Sequence, residues 1–266
     1  TLQGLADRTN DERFAWDSYR RFVQGYGSIV MGVESQTFED IIGQHKLSLK
    51  KENDTDLTAR DWMAVTENFL EVITSETKDP FPTDPLDQLF GAIDAVFDSW
   101  HGARAIAYRD FHNMPHDWGT AVNVQTMVFG NLGGESGTGV AFTRDPNTGE
   151  NRLFGEYLLN AQGEDVVAGI RTPSKIETLE DSLPDVYAQF HENAMKLEAH
   201  YGDMQDLEFT IEDGQLFMLQ TRAGKRSPAA AIKIALDMLD EGKIDASETV
   251  RRVQPDQVDA VLHDQI

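Results

Sequence analysis

The residue types best suited to chemistry lie between positions 206 and 222, where two apolar runs flank Asp213-Gly214. An Asp-Gly pair between apolar runs is typical of a tight β-turn, so this stretch is predicted to form a β-hairpin. Side chains two residues apart point to the same face of a strand. Asp206 and Glu208 should therefore share one face of the first strand, and Gln220 and Arg222 one face of the second.

An acidic pair beside an arginine suits a magnesium ion together with a polyphosphate. Carboxylate oxygens are hard ligands that hold the ion, and the planar guanidinium group binds phosphate oxygens through two donors. An exposed strand face with ordinary charge alternation is the competing interpretation. The spacing alone does not decide between the two.

Charge and composition exclude several classes of function. The chain has 266 residues, of which 46 are acidic and 23 basic, and its net charge is −23. A surface this negative repels nucleic acid and anionic lipid, and no dense basic run offsets it. A phosphate ligand must therefore enter a locally positive site.

The absence of cysteine excludes a disulfide framework, a thiolate metal site and a cysteine nucleophile. No apolar run approaches the length of a membrane span, and the residues after Thr1 do not form a signal peptide. We expect a soluble, cytoplasmic protein without nucleic-acid or membrane partners. Because the chain begins with Thr1, we also expect it to be a piece of a longer protein.

The first part of the chain has helical periodicity, with apolar stripes over residues 11–26, 37–49 and 58–74. A Pro-rich break at residues 78–85 precedes a long predicted helix over 86–111. Seven of its side chains are predicted to face inward: Leu89, Ile93, Val96, Phe97, Trp100, Ile106 and Tyr108.

Strand patterns follow, over residues 120–129, 139–144 and 152–159, with a short element at 164–170 and an amphipathic helix at 183–201. Beyond the hairpin, helices are predicted at 229–239, 246–253 and 256–262. The predicted fold class is therefore α+β.

Two loops carry further candidate residues. Residues 130–139 contain five glycines, which let backbone N–H groups approach an anion, although a plain hairpin loop is the alternative. Residues 160–165 place two amides and two carboxylates around one glycine. They suit a sugar hydroxyl pair or a second metal-associated group. A turn in which Glu164 and Asp165 favour the start of the next helix is the competing interpretation.

Taken together, several segments closely resemble the nucleotide-binding domain of the pyruvate phosphate dikinase family. The resemblance covers essentially the whole chain and lies in residues 14–22, 119–130, 136–150, 160–169, 203–212 and 218–226. It implies an incomplete ATP-grasp-like domain, divided into a helical subdomain at 1–83, an ATP-grasp portion at 84–225 and a helical linker at 226–266. The linker would lead toward a phosphohistidine domain that is absent from the chain.

The resemblance also implies roles for individual residues. Asp206 and Glu208 would bind Mg²⁺, with Gln220 and Arg222 beside the phosphates of ATP in catalytic positions. The remaining residues implied to bind ATP lie in several segments: Gln125, Met127 and Val128 at the adenine, Thr138 and Gly139 in a loop over the phosphates, Glu164 and Asp165 near the adenosine, and Arg20 as a further phosphate contact.

In this family, ATP and phosphate serve to phosphorylate a histidine on a swivelling domain, and a barrel domain then transfers the phosphoryl group to pyruvate. The resemblance thus implies phosphohistidine and pyruvate-binding domains as partners in the same parent chain, and a homodimeric parent. The first lobe of the family's nucleotide-binding domain is expected to precede Thr1. We therefore expect the chain to be inactive alone and to bind ATP weakly or not at all.

Two alternatives remain at this point. A phosphoenolpyruvate synthase-like relative would show many of the same segments but would not require inorganic phosphate. A non-catalytic interaction module with a grasp fold would keep the architecture without the chemistry.

Overall fold

The computed structural model describes residues 2–167 and 171–263. Contacts divide the chain into two compact units, Thr1–Gln125 and Thr126–Ile266. The predicted boundaries at residues 83 and 225 concern the organisation of the parent protein and stay predictions.

The first unit is helical. Its helices are α1 (Leu2–Thr9), α2 (Glu12–Ile29), α3 (Ser35–Leu49), α4 (Ala59–Thr77), α5 (Pro85–Ser99) and α6 (Ala103–Phe111). The helices predicted in the first 74 residues are confirmed, but α2 runs past the predicted end at residue 26 and includes Gly27. Gly27 lies buried inside α2, where a Cβ would come within 2.8 Å of the Phe38 ring. Its small size thus serves packing rather than helix termination.

The core of this unit forms where α2, α3 and α4 meet. Trp62, Phe38 and Phe69 are fully buried there, and the Phe38 and Phe69 rings lie edge to face at 4.8 Å. Thr58 caps α4, since its hydroxyl accepts the Asp61 amide N–H.

The prediction of one long inward-facing helix over 86–111 is wrong in two respects. The helix is interrupted between Ser99 and Ala103, so that α5 and α6 are separate. The predicted inward positions are also exposed in part: Val96 by 39%, Phe97 by 47% and Tyr108 by 56%. The apolar pattern is present, but none of these seven side chains belongs to the core described for residues 2–125.

The second unit is built on a five-stranded antiparallel sheet with the order β3-β2-β1-β4-β5. The strands are β1 (Gly137–Phe142), β2 (Phe154–Leu159), β3 (Ser174–Lys175), β4 (Gln205–Glu212) and β5 (Gln215–Ala223). Its helices are α7 (Gly163–Val167), α8 (Leu179–Ser182), α9 (Pro184–Tyr201), α10 (Pro228–Asp240), α11 (Ala246–Arg252) and α12 (Pro255–His263).

Most predicted elements of the second unit are confirmed. The exception is the strand predicted at 120–129, because these residues are neither helix nor strand. The short element predicted at 164–170 begins as α7, and residues 168–170 lie outside the described part of the chain.

One face of the sheet is the core. Leu207, Phe209 and Ile211 of β4 are fully buried on it, and the Phe190 ring of α9 lies 4.5 Å from the Phe209 ring. Burying each such side chain contributes about 1.5–3 kcal/mol. Because these residues alternate with Asp206 and Glu208, the core fixes the acidic pair on the opposite face.

A buried ion network holds α10 against the sheet. Arg144 follows β1, is fully buried, and donates to both Glu198 of α9 and Glu241 at the end of α10, at distances of 2.7 to 3.1 Å. Lys243 bridges the same two carboxylates at 2.8 Å. Burial would raise the pKa of Glu198, but hydrogen bonds from Arg144, Lys243 and Thr143 together hold it below its usual value. Arg144 and Glu198 therefore stay ionised, and with Glu241 they link the end of β1 to α9 and α10.

The attachment of α10 is expected to weaken in acid. Hydrogen bonds from Arg144 are the main reason that the pKa of Glu241 falls from 4.5 to about 2. A carboxylate whose pKa is lowered on folding stabilises the fold above its unfolded pKa and loses that effect as the pH falls toward the folded value. Native chain should therefore be more stable to urea than Glu241→Gln above pH 4.5. The difference in the free energy of unfolding between the two proteins should narrow steadily below that pH. A difference that does not depend on pH would contradict the lowered pKa of Glu241.

Candidate functional site

The hairpin of β4 and β5 brings the predicted acidic pair, the amide and the arginine together. The two-residue turn is formed by Asp213 and Gly214, whose φ angles of 50° and 74° are both in the left-handed region. This geometry matches the twist of the flanking strands and explains the Asp-Gly pair. In the ladder, Asp206 lies opposite Arg222 and Glu208 opposite Gln220.

A β-bulge sets the direction of the side chains on β5. The register shifts by one residue between Glu208 and Phe209, and Leu219 is the extra residue. Leu216 and Met218 can therefore pack into the core, while Gln220 and Arg222 stay level with the carboxylates on the other face. Without the bulge, these four even-numbered residues would all share one face.

Arg222 is paired with both carboxylates. Its Nε donates to Asp206 at 2.7 Å, and its Nη2 lies 3.5 Å from Glu208. The side chain of Asp206 is 13% exposed, that of Glu208 is 37% exposed, and that of Arg222 is 57% exposed. The hydrogen bond from Arg222 to Asp206 raises the pKa of the arginine. The group forms a charged patch on an open sheet face.

This patch could hold a divalent cation only with help from a ligand. Among residues 2–167 and 171–263, no three or more histidine, cysteine, aspartate or glutamate side chains are grouped so as to hold a metal ion. Two carboxylates with no further protein ligand fit Mg²⁺, which keeps several waters and is usually completed by phosphate oxygens. Among the described residues, water or ligand oxygens would therefore have to complete the coordination that these two carboxylates begin.

The sequence reasoning overlooked Glu212, which lies on the same face of β4 as Asp206 and Glu208. Its carboxylate accepts the Phe129 N–H at 2.6 Å and so anchors the segment that contains Met127 and Val128. The signal was present in the sequence, because Glu212 continues the two-residue spacing that singled out the acidic pair. Met127 is 59% exposed, and Val128 is half-buried. Gln125 is exposed and belongs to the first unit.

Thr138 and Gly139 lie in β1 rather than in the glycine-rich loop that was predicted to cover the phosphates. The Thr138 hydroxyl is buried and donates to the Phe209 carbonyl at 3.1 Å. A Cβ on Gly139 would lie 2.7 Å from the Phe209 ring. Both residues thus have a packing role in the sheet, and their part in nucleotide binding stays a prediction.

The glycine-rich loop itself is fastened to the hairpin turn. The Ser136 hydroxyl accepts the Asp213 N–H at 2.9 Å, and the Gly214 N–H donates to the Glu135 carbonyl at 2.8 Å. At the other side, the Asn160 N–H donates to the Ser136 carbonyl at 2.7 Å. The loop is therefore held in place next to the turn of the candidate site.

The acidic turn at residues 160–165 has the geometry of a helix cap, which was the alternative to a ligand-binding role. The Asp165 carboxylate accepts the Gln162 N–H at 2.8 Å at the start of α7, and the Gln162 side chain donates to Asn131 at 3.0 Å. Glu164 is exposed on the same helix. A role of Glu164 and Asp165 near an adenosine stays a prediction.

Arg20 belongs to the helical unit and is engaged there. It is 5% exposed, forms an ion pair with Asp17, donates to Gln24 at 3.1 Å and stacks at 4.3 Å over the Trp62 ring. These contacts account for its burial. A phosphate contact of Arg20 stays a prediction.

None of the helices in the described part of the chain is long and apolar enough to span a membrane.

Comparison with known proteins gives a consistent result. The chain matches the family described as "Pyruvate phosphate dikinase, AMP/ATP-binding domain" over residues 33–194 and 185–243. It is 55% identical over 263 residues to pyruvate, phosphate dikinase of Clostridium symbiosum, which covers 98% of this chain and 30% of that protein. Over 275 residues it is 52% identical to the enzyme of Rhizobium meliloti, covering 99% of this chain and 31% of that protein.

A plant relative, pyruvate, phosphate dikinase 2 of Oryza sativa, is 50% identical over 264 residues, covering 99% of this chain and 30% of that protein. The chain thus spans about 30% of the length of these curated relatives.

Proposed function

This chain belongs to the pyruvate phosphate dikinase family through its AMP/ATP-binding domain, and on that premise we propose that it is part of the ATP-binding domain of a pyruvate phosphate dikinase. In the parent protein, ATP and phosphate serve to phosphorylate a histidine on another domain. The phosphoryl group then passes to pyruvate, so that ATP, phosphate and pyruvate give AMP, diphosphate and phosphoenolpyruvate. The observation that carries the proposal is the convergence of Asp206, Glu208 and Arg222 on one open sheet face.

Each of these residues has a role in the proposal. Asp206 and Glu208 bind Mg²⁺, whose remaining ligands are water and phosphate oxygens. Arg222 and Gln220 contact the phosphates and neutralise or orient the transferring group. Phosphoryl transfer needs little covalent chemistry from the protein, and positioning with charge stabilisation supplies most of the rate enhancement.

The nucleotide itself is proposed to lie over the same sheet face. Met127 and Val128 contact the adenine, in a segment that Glu212 anchors beside the sheet. Gln125 is a further adenine contact that the resemblance implies. Support for the other predicted contacts of the nucleotide comes from the resemblance alone: Thr138, Gly139, Glu164, Asp165 and Arg20.

The parent protein is proposed to be a cytoplasmic homodimer that also contains the phosphohistidine and pyruvate-binding domains. The share of the relatives that lies outside this chain, about 70%, leaves room for both. We expect the 266-residue chain alone to bind Mg-ATP weakly and to be inactive.

The proposal is tested by the phosphate requirement of the full-length parent protein. With Mg²⁺, ATP and pyruvate, AMP should form only when inorganic phosphate is added, and diphosphate should appear in equal amount. AMP formation that is indifferent to phosphate would assign the protein to the synthase-like alternative. No AMP formation under either condition would leave only the non-catalytic module.

A further inference from the structure

A cavity of about 170 Å³ lies within the second unit, away from the hairpin face that carries the acidic pair. Its lining side chains come from α10, α11 and α12 and from the two connections that flank the β4–β5 hairpin. Cavities of about 150 Å³ accept a ligand the size of benzene, with about six heavy atoms. The cavity is therefore large enough for a small organic molecule.

One wall of the cavity is polar and carries two guanidinium groups. Arg226 is satisfied by Asp203, to which its Nη1 and Nη2 donate at 2.7 Å and 2.6 Å. Arg252 donates through Nε to Glu248 at 2.9 Å and through Nη1 to the Gly202 carbonyl at 2.7 Å. Its Nη2 group donates to no acceptor in residues 2–167 and 171–263. An arginine has five N–H donors, so Nη2 keeps two of them for a ligand.

A second donor comes from α12. The amide oxygen of Gln257, which also lines the cavity, accepts the Gln254 N–H at 3.0 Å. For the part of the chain that the structure describes, the NH₂ group of Gln257 has no acceptor. A ligand that only accepts hydrogen bonds would satisfy this group and the Nη2 group of Arg252 together, and a negative charge on it would strengthen both bonds.

The charges around the cavity also favour an anion. Asp203 pairs with both cavity arginines, at 2.6 Å for Arg226 and 3.8 Å for Arg252, and Glu248 is shared by Arg251 and Arg252. These three guanidinium groups and two carboxylates form an arginine cluster with one net positive charge. The whole chain has a net charge of −23. A positive site on so negative a protein is where a small anion concentrates.

The other wall of the cavity is apolar and belongs to α10. It consists of Ala231, Ile234 and Ala235, which are exposed by 7%, 1% and 3%. Residues three and four apart share one face of a helix, so these side chains form a continuous surface. A compact hydrated ion such as inorganic phosphate would lose water against this surface without compensation. A short alkyl chain is favoured there by its burial.

We propose that the cavity is a binding site for a short-chain aliphatic carboxylate of about six heavy atoms. The carboxylate accepts hydrogen bonds from Arg252 and Gln257, and the alkyl chain lies against Ile234 of α10. The bound molecule thereby links α10, α11 and α12 to one another. This site is independent of the proposed function, because none of its residues is among those assigned to Mg²⁺ or ATP.

The test is a titration of the full-length parent with butyrate, followed by NMR through the Cδ1 methyl signal of Ile234. The variant Ile234→Val assigns that signal. It should shift saturably with a Kd of about 1 mM or below, which ligands of this size can reach. Butyramide has the same shape without the charge, and acetate has the carboxylate without the chain, so both should bind about tenfold more weakly or worse.

Three outcomes of this titration would overturn the proposal. An equal response to butyramide would exclude an anion site, and tighter binding of inorganic phosphate would exclude the carboxylate assignment. No shift of the Ile234 signal at butyrate concentrations far above about 1 mM would exclude the cavity as a binding site.

Two neighbouring arginines provide a matched pair of variants. Arg252→Gln should weaken butyrate binding by about tenfold, because the ligand loses a charged donor. Arg251→Gln removes the same charge from a side chain that is 71% exposed, and it should change the Kd by no more than a factor of about two. Equal losses in both variants would reduce the effect to net charge and contradict the contact assigned to Arg252.

A second pair of variants leaves every charge in place, since Arg252 also holds α11 to Gly202 and its loss can disturb the fold. Ala231→Leu fills the cavity and should abolish butyrate binding. Ala229→Leu makes the same change at an exposed position of α10 and should bind butyrate as the native parent does. Butyrate binding that survives in Ala231→Leu would refute the site.

Discussion

Replacing Glu208 by glutamine in the full-length parent is expected to abolish most of its ATP-dependent turnover. The substitution keeps the shape of the side chain but removes the negative charge that faces the proposed metal ion. Loss of one group that stabilises the transferring phosphoryl typically costs about 10²–10³-fold in kcat. AMP formation with saturating ATP, phosphate and pyruvate measures the loss directly.

The control for this variant is Glu192→Gln on α9, which also removes an exposed carboxylate, one paired with Lys196 at 2.6 Å. Its turnover should equal that of the native parent. Melting temperatures of both variants should match the native value, which separates chemistry from folding. Unchanged turnover in Glu208→Gln would rule out the metal-binding role proposed for the hairpin.

Replacing Arg144 by methionine is expected to destabilise the second unit by about 3–5 kcal/mol, because it leaves buried Glu198 without its main counter-charge. Both side chains are almost completely inaccessible, at 0% and 1%. The substitution Arg251→Met changes an arginine that is 71% exposed and paired with Glu248 of its own helix. It should cost no more than about 1 kcal/mol.

Hydrogen exchange is the appropriate measurement for Arg144→Met. All four tryptophans lie in the first 125 residues, so their fluorescence does not report on the sheet. Protection of β1, β4 and α9 amides should fall in Arg144→Met and stay native in Arg251→Met. In the double variant R144M/E198L, the loss should be smaller than the sum of the two single losses, since neither charge is then left alone. Additive losses would contradict a coupled pair.

The sequence was sufficient for the parts of the fold that local rules determine. The Asp213-Gly214 turn, the shared face of Asp206 and Glu208, and the burial of Leu207 and Phe209 follow from turn chemistry and the two-residue period of a strand. The acidic pair was singled out for the same reason, because its carboxylates lie on one strand, and its role stays a prediction.

Features that depend on the partner strand escaped prediction. In the sequence, the bulge at Leu219 shows only as a conflict between spacing and polarity. Leu216 and Met218 pack into the core, whereas Gln220 and Arg222 lie on the other face, although all four positions are even-numbered. The resemblance placed Thr138 and Gly139 in a loop over the phosphates, although Gly139 also began a predicted strand. In the structure both lie in β1, and Gly139 is needed where the Phe209 ring crosses that strand. Periodicity also shows which side of α5 is apolar but not what covers it.

The pairing of Arg222 with the acidic pair has a consequence for ligand entry. Two carboxylates held side by side repel one another, and here an internal cation already compensates that repulsion at 2.7 Å and 3.5 Å. The charged patch is therefore assembled before anything binds, and a metal ion that binds as proposed would replace a guanidinium group instead of gathering scattered anions. The arginine released by that exchange would be left within reach of the phosphates of the proposed Mg-ATP.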